Sequence, residues 1–591
     1  MKKTIKLMAA GLLMVGMASC DDMFSPALEN IKDENTMEIE ANFADQILGS
    51  AYILMPYSST PYNDVATDDA VSNDLTNTWL TMAGGAWTSQ TGVSNDNWRD
   101  RNASIQYANI LLQKLDKVSF SANENLDLMF HDRLRGEALG LRALNMYFLL
   151  QNYGGIGTSG DLLGVHIFTE PFDATQDMNV SRDGFKACLD RLLADAEEAI
   201  SLLPDTYVNL RSNSEVPQKY AALGVDMSDY NRVFGATTHI RVCGRIVAAI
   251  RAQAALLAAS PAFEASGMQW SMAADYAANV LDKIGGVAGM DDKGHIWYTA
   301  DEVKEPSDYT DQKEIIWRER AGNSISLEED NFPPTLYGKG RVNPTQNLVD
   351  AFPALNGYPI NDARSNYDSS NPYSNRDPRL GLYIVTNGSS MAGSTINSSV
   401  HQPVNDNDKD GLNTESGRST RTGYYMRKLV REDVNPNPSN KVEKPHYTKR
   451  IRFTEIFLAY AEAANEAWGP TSGGSHGYSA YDVIKAIRKR AGVGLDNGDA
   501  YLESVKGDKE KMRELIRNER RLELCFENIR FWDLRRWKAD LNETARGMRI
   551  EGNNYTVIDV EQRKFSSHMI YGPLPYEDVI KFSNIEQNAG W

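Results

Sequence analysis

A chain of 591 residues with 62 Lys and Arg against 80 Asp and Glu carries a formal net charge of −18 and a pI near 5.1. That balance argues against nucleic acid as a partner, because phosphate binding needs a basic face. At 41% hydrophobic residues the chain can bury a large core, and past its first residues no apolar run is long enough to span a bilayer: the richest, Ile246 to Ala259, is broken by Arg251 and Gln253.

Residues 1–19 read as a secretory leader, with Lys2, Lys3 and Lys6 ahead of the apolar stretch Leu7 to Met17. Met17-Ala18-Ser19-Cys20 resembles a lipobox, which makes Cys20 the acceptor of acyl chains (palmitate-type lipid) once the leader is cut away. Lipid would then hold the protein on a membrane without crossing it. Residues 20–34 read as an extended tether. The other cysteines, Cys188, Cys243 and Cys525, are odd in number, form no CxxC and sit in helical patterns, so the sequence predicts buried free thiols rather than a disulfide framework.

Helical spacing begins at Met37 to Leu54 and stops before Pro56. A loop follows from Ser58 to Asn97, rich in Asp, Asn, Ser, Thr and Gly but holding Trp79 and Trp87. Helices are predicted over Trp98 to Val118, Leu126 to Tyr153, Ser181 to Leu203 with an N-cap at Ser181-Arg182-Asp183, Ile240 to Ala259 and Ser271 to Ile284. Between 314 and 449 turn residues dominate, with strand-like runs at Glu314 to Trp317 and Leu382 to Val385. Helical text returns at Ile451 to Trp468, Ala480 to Arg490 and Arg513 to Trp537. The expected fold is mostly α: helix pairs forming a tetratricopeptide-like scaffold over 35–313 and 450–540, with a large irregular loop and short-strand region, 314–449, laid over one face. Ala248, Ala249, Ala252 and Ala255 would let such helices approach closely, although no strict 34-residue period runs through the chain. No linker divides 35–591, which reads as one body.

Catalytic motifs largely fail. Gly155 to Gly160 fits GxGxxG by letter but follows a helix, not a strand. HExxH and a phosphate loop are absent, and the eight histidines are scattered. Asp406, Asp408 and Asp410 begin a D-x-D-x-D-G run that resembles a calcium loop, but its twelfth position is Gly417 where Glu is expected. A solvated acidic turn and a structural Ca²⁺ are the two readings of that run. Asp68, Asp69 and Asp74 lie close in sequence, and two carboxylates can hydrolyse a glycoside; the same groups can equally hydrogen-bond sugar hydroxyls.

The segment Arg513 to Trp537, RELIRNERRLELCFENIRFWDLRRW, is the most distinctive. Leu515, Leu522, Phe526 and Ile529 form one apolar helical stripe, and Glu519 and Glu523 repel at i, i+4. Such a helix needs charged partners elsewhere in the fold. Its order of letters resembles the C-terminal signature of the SusD/RagB family, the surface glycan-binding lipoproteins of Bacteroidetes-type bacteria. Further islands resemble the family in order: GEALGLRALNMYFLLQNYGG at 136–155, Pro344 to Asp350, Asn375 to Leu380, Gly423 to Lys428, Gly572 to Pro575 and Gln587 to Trp591.

That resemblance implies a non-enzymatic lipoprotein of the outer membrane, facing the cell exterior, that binds oligo- or polysaccharide and caps a SusC-like, TonB-dependent transporter. Asp21 and Asp22 resemble the surface-export signal that follows the lipidated Cys in these bacteria. The alternative is the same fold binding peptide or another nutrient; a surface glycoside hydrolase is a third reading, for which no acid pair is identified. Flat aromatic rings cover the apolar face of a sugar at small entropic cost. Trp79, Trp87, Phe332 and Tyr337 occupy polar loop text at the two places the family uses for its glycan site, with Asp69, Asn73, Asp74, Arg320 and Asn331 as polar companions. Trp532 reads as core, and Trp297 and Tyr298 are next in line should the first set prove to be packing residues.

Overall fold

The computed structural model describes residues 34–91, 94–172, 175–303, 311–403 and 408–591. Cys20, the leader and nearly all of the tether, together with Asp406, lie outside them. The principal helices are α1 (Ala41–Ile53), α2 (Ser94–Lys114), α3 (Glu124–Tyr153), α4 (Phe185–Leu202), α5 (Gly244–Ala259), α6 (Trp270–Leu281), α7 (Phe453–Trp468), α8 (Ala480–Ala491), α9 (Lys509–Leu524) and α10 (Arg530–Arg536). Each from α1 to α7 packs on the next, and α7 then packs on both α8 and α9. One helical stack therefore continues across the long insertion between α6 and α7.

Small residues set the spacing of that stack. Ala249, Ala252 and Ala255 of α5 are buried, as are Ala459, Ala461, Ala463 and Ala464 of α7. A Cβ on Gly140 of α3 would stand 2.7 Å from Val242 and 2.8 Å from Val247, so α3 meets the start of α5 only because that position has no side chain. Asn123 caps α3, its Oδ1 accepting from the backbone N–H of Asn125 and Leu126.

The insertion is held by two-stranded pieces. Strand β1 (Ala70–Ser72) pairs with β4 (Val342–Pro344), β2 (Ile315–Arg318) with β6 (Lys449–Arg452), β3 (Gly322–Ser324) with β5 (Lys444–His446), and β7 (Ala545–Glu551) with β8 (Asn554–Glu561), all antiparallel. These segments and the 58–91 loop surround a second hydrophobic core, distinct from that of the helices. The free thiols of Cys188, Cys243 and Cys525 are buried, as expected, and burial pushes each up to about 12.

Two sequence expectations need correction. The helix placed at Ser181 begins at Phe185: Asp183 is held in extended pairing with Gly164 and Val165, while Arg182 turns inward to the carbonyls of Tyr153 and Gly164. The segment 513–537 is two helices, not one. α9 ends at Leu524, Phe526 and Asn528 adopt φ of 63° and 62°, and α10 starts at Arg530. The backbone groups freed by that break find partners from distant segments. Asp64 accepts from the N–H of Phe526 and Asn528 at 3.2 and 3.1 Å, and Lys428 Nζ donates to the carbonyls of Glu523 and Cys525 at 2.7 and 3.0 Å. α9 sits at the joint of the two cores: Leu515 and Ile516 pack in the helical one, Leu522, Cys525 and Phe526 in the other.

Candidate functional site

A cleft of about 420 Å³ opens along that joint. α3 supplies Tyr147, Phe148 and Gln151, α5 supplies Gln253 and Leu256, and the loop after α1 supplies Tyr57 and Tyr62. The second half brings Trp297 and Tyr298, the β2–β3 and β5–β6 segments, and the break between α9 and α10 with Trp532 beyond it.

Its lining is aromatic. Tyr57 meets Phe148 edge-on, centroids 5.4 Å apart, and Phe148 meets Tyr147 at 5.1 Å. Tyr447 stacks on Trp297 at 5.9 Å with 28° between the rings, and Trp532 stands edge-on to Phe531 at 5.0 Å. Tyr57, Tyr62, Phe148, Tyr447 and Trp532 are half-buried, each keeping part of its ring open. Set among them are buried polar atoms without a protein partner: the hydroxyls of Tyr57 and Tyr447 and the indole N–H of Trp297. Burial pushes both phenols up, so they stay protonated and can donate. An apolar surface studded with unmet donors suits a ligand with flat apolar faces and oxygen substituents.

The carboxylates of the cleft are already engaged. Asp533 accepts from Arg520 Nε and Arg536 Nε at 2.7 and 2.8 Å, and Glu527 takes Lys428, Lys449 and Arg452 at 2.7 to 2.9 Å. Despite burial, these cations hold Asp533 and Glu527 below the usual carboxylate range. Glu319 accepts from Thr448 N and Oγ1, and Glu455 from Gln253 Nε2.

Of the first set of site residues expected from sequence, Arg320 lines this cleft, exposed at its edge, and Trp297 and Tyr298, the residues next in line, line it too. The rest stand elsewhere. Trp79 is 7% and Trp87 5% exposed. Trp79 packs edge-on against Phe531 at 4.9 Å, and Trp87 against Trp591 at 4.9 Å with the Arg535 guanidinium 5.2 Å from its ring. Phe332 is 1% exposed. Asp69 is buried with its Oδ1 accepting from Arg521 Nε at 2.6 Å; Asn73 donates to Lys339 O; Asn331 donates to Leu327 O and accepts from Val342 N. Asp74 closes a turn with Thr76, and Tyr337, 40% exposed at φ 66°, lies outside the cleft lining. The exposed Trp79–Trp87 platform is therefore corrected to packing within the second core. Local polarity misled because Asp74 and Asn77 spend their oxygens on turns and caps rather than marking a wet surface. Trp532, expected in the core, is half-buried and lines the cleft. Tyr57, Tyr62, Tyr447 and Arg450 were missed. Tyr57 and Tyr62, flanking Ser58-Ser59-Thr60, were the available signal, aromatics in polar text just after a helix.

Among the described residues no group of three His, Cys, Asp or Glu side chains is placed to hold a metal ion. Asp408 Oδ1 bonds His401 Nε2 at 2.8 Å, and Asp410 Oδ1 accepts from Thr335 N at 2.9 Å while burial pushes its carboxyl up to about 6.

Residues 293–591 match the family model described as the SusD family, and residues 27–226 match one described as starch-binding associating with outer membrane. No curated protein matches. Among solved structures, a SusD-like protein from Bacteroides fragilis is 21% identical with a TM-score of 0.71, over 95% of this chain and 99% of its own. A SusD-like carbohydrate binding protein from the same organism is 20% identical with a TM-score of 0.68, over 93% and 99%. A SusD superfamily protein from Parabacteroides distasonis is 17% identical with a TM-score of 0.59, over 93% and 99%. At these identities the likeness is one of fold.

Proposed function

The chain belongs to the SusD family, and from that premise we propose that it is a glycan-binding lipoprotein on the external face of the outer membrane, passing oligosaccharide to a SusC-like, TonB-dependent transporter. The observation that carries the binding step is the cleft: half-open aromatic rings interleaved with unmet donors at Tyr57, Tyr447 and Trp297. The matched family description associates its members with starch and the outer membrane, and Cys20 supplies the anchor in this reading.

The protein binds without cleaving. A glycosidase needs one carboxyl that keeps its proton near neutral pH beside a second that does not. In this cleft Glu527 and Asp533 are clamped by Arg and Lys, with their proton affinity lowered.

Isothermal titration against a panel of polysaccharides and peptides tests the reading. A glycan should bind and be recovered intact, and Tyr447→Ala should weaken it, by about 1–3 kcal/mol if loss of a stacked ring resembles loss of a base-stacking aromatic. Binding confined to peptides, or turnover of the bound glycan, would overturn it.

A further inference from the structure

The ladder between β2 and β6 is irregular at two adjacent points. Arg318 pairs with Lys449, Trp317 with Ile451 and Ile315 with Arg452, so Arg450 on β6 and Ile316 on β2 have no opposite number. A bulge of this kind re-aims the side chain it carries and is over-represented beside functional sites. Here the re-aimed side chain lines the cleft, its guanidinium 4.7 Å over the Trp317 ring and its buried Nε without a partner. Arg320, just past the end of β2, lines the same cleft and is exposed.

The remaining lining cations are matched. Arg431 is bidentate to Asp433, Lys449 reaches Glu527 at 2.9 Å, His446 meets Glu328 at 2.9 Å, and Arg520 and Arg536 share Asp533. Arg320 and Arg450 make no ion pair with any described carboxylate. The unmet buried polar atoms lean the same way. Tyr57, Tyr447, Trp297, Arg450 and Arg520 offer hydrogens, against amide oxygens only on Asn63 and Gln253. Neutral sugar hydroxyls both donate and accept. A site with surplus donors and two unmatched guanidinium groups favours substituents that only accept, and Arg presents the fork that carboxylate and sulfate fit.

We propose that the cleft selects acidic saccharides, a carboxylate or sulfate on the sugar being held by Arg450 with Arg320 at the edge while the ring lies on the aromatic lining. This rests on the glycan-binding reading above. The protein's net charge of −18 does not oppose it strongly at physiological salt, where exposed charges are screened beyond roughly 8–10 Å.

The test is titration of the full-length protein with neutral glucans, with pectic oligogalacturonate and with sulfated chondroitin oligosaccharide, on wild type, Arg450→Gln, Arg450→Lys and Arg320→Gln. An acidic probe should bind at least about tenfold tighter than any neutral one and weaken as salt rises. Arg450→Gln should erase that preference, with Arg450→Lys intermediate. Arg320→Gln, at an exposed position, gives the same direction should loss of the Trp317 contact impair folding of the Arg450 variants. The uronate and sulfate arms identify the substituent. Neutral glucan bound as tightly as both acidic probes, or acidic binding unchanged in folded Arg450→Gln, would overturn the acidic preference and leave glycan binding standing. Peptide binding with no saccharide bound at all would overturn both.

Discussion

Trp87 and Trp532 are the same side chain in two different situations. Trp87 lies between Trp591, Phe565 and the Arg535 guanidinium, so truncation empties a packed site. Trp532 leans on Phe531 with its outer face toward the cleft. Trp87→Ala should cost about 3–5 kcal/mol of stability and leave affinity per folded molecule unchanged. Trp532→Ala should do the reverse, lowering glycan affinity with a smaller loss of melting temperature; thermal melts and titrations on both variants check the contrast. Early melting of Trp532→Ala with undiminished affinity would assign that ring to packing. These opposite roles were not legible locally. Trp87 stands in Gly- and Thr-rich text, and its neighbours come from residues hundreds of positions away. Trp532 stands in a charged helix whose cleft face is set by a break the periodicity does not show. Arg320 was legible because it flanks the polar loop after the Glu314 to Trp317 strand run and carries donors for hydroxyls.

At the scale of the element, the α9–break–α10 segment explains its own crowded charges. Glu519 and Glu523 share Arg379, whose Nη1 lies 2.9 and 3.0 Å from their carboxylates. Arg488 also binds Glu519, and Arg490 binds Glu523, both at 2.8 Å. Their i, i+4 repulsion is thereby turned into a demand for partners from α8 and from the Asn375 to Leu380 island. The sequence showed that partners were required and could not show which, since the 375–380 island, α8 and α9 converge only in space. Glu523→Gln would leave Arg490 and Arg379 short of buried counter-charge and should destabilise the protein by about 3–5 kcal/mol. Burial raises Glu523 and the Arg490, Arg379 and Arg452 charges more than reverse it, taking its carboxyl from 4.5 to about 2. A group whose folded value is depressed stabilises above its unfolded value and loses that contribution as pH falls through the folded one. Stability in urea should therefore drop between about pH 4.5 and 2, and the drop should be shallower in Glu523→Gln. An unchanged slope would show that other groups dominate the acid limb.

At the scale of the molecule, the mostly helical body and the loop and strand region over 314–449 follow from where periodicity is strong and where turn residues crowd it out. The second core was not legible, because its members are scattered among short strands, one-turn helices, the β7–β8 hairpin and polar turns. Both cores meet at α9, and the cleft opens where they meet, so a ligand there contacts segments from both. The proposed anchor is separate from all of this. Cys20 precedes the first described helical turn, Glu34–Glu38, and fourteen residues could reach at most about 50 Å when fully extended. The body would be held near the membrane surface without lipid touching its cores. Cys20→Ala should accordingly abolish fatty-acid labelling and leader cleavage while the body's melting temperature stays put. The same substitution should deplete the protein from outer membranes. In the wild type, gentle detergent extraction at native expression should bring down a large β-barrel transporter with the lipidated chain. Undiminished acyl labelling of Cys20→Ala would sink the anchor, and recovery of the wild-type protein as a free monomer would sink the transporter partnership while leaving the glycan cleft to be judged on its own titrations.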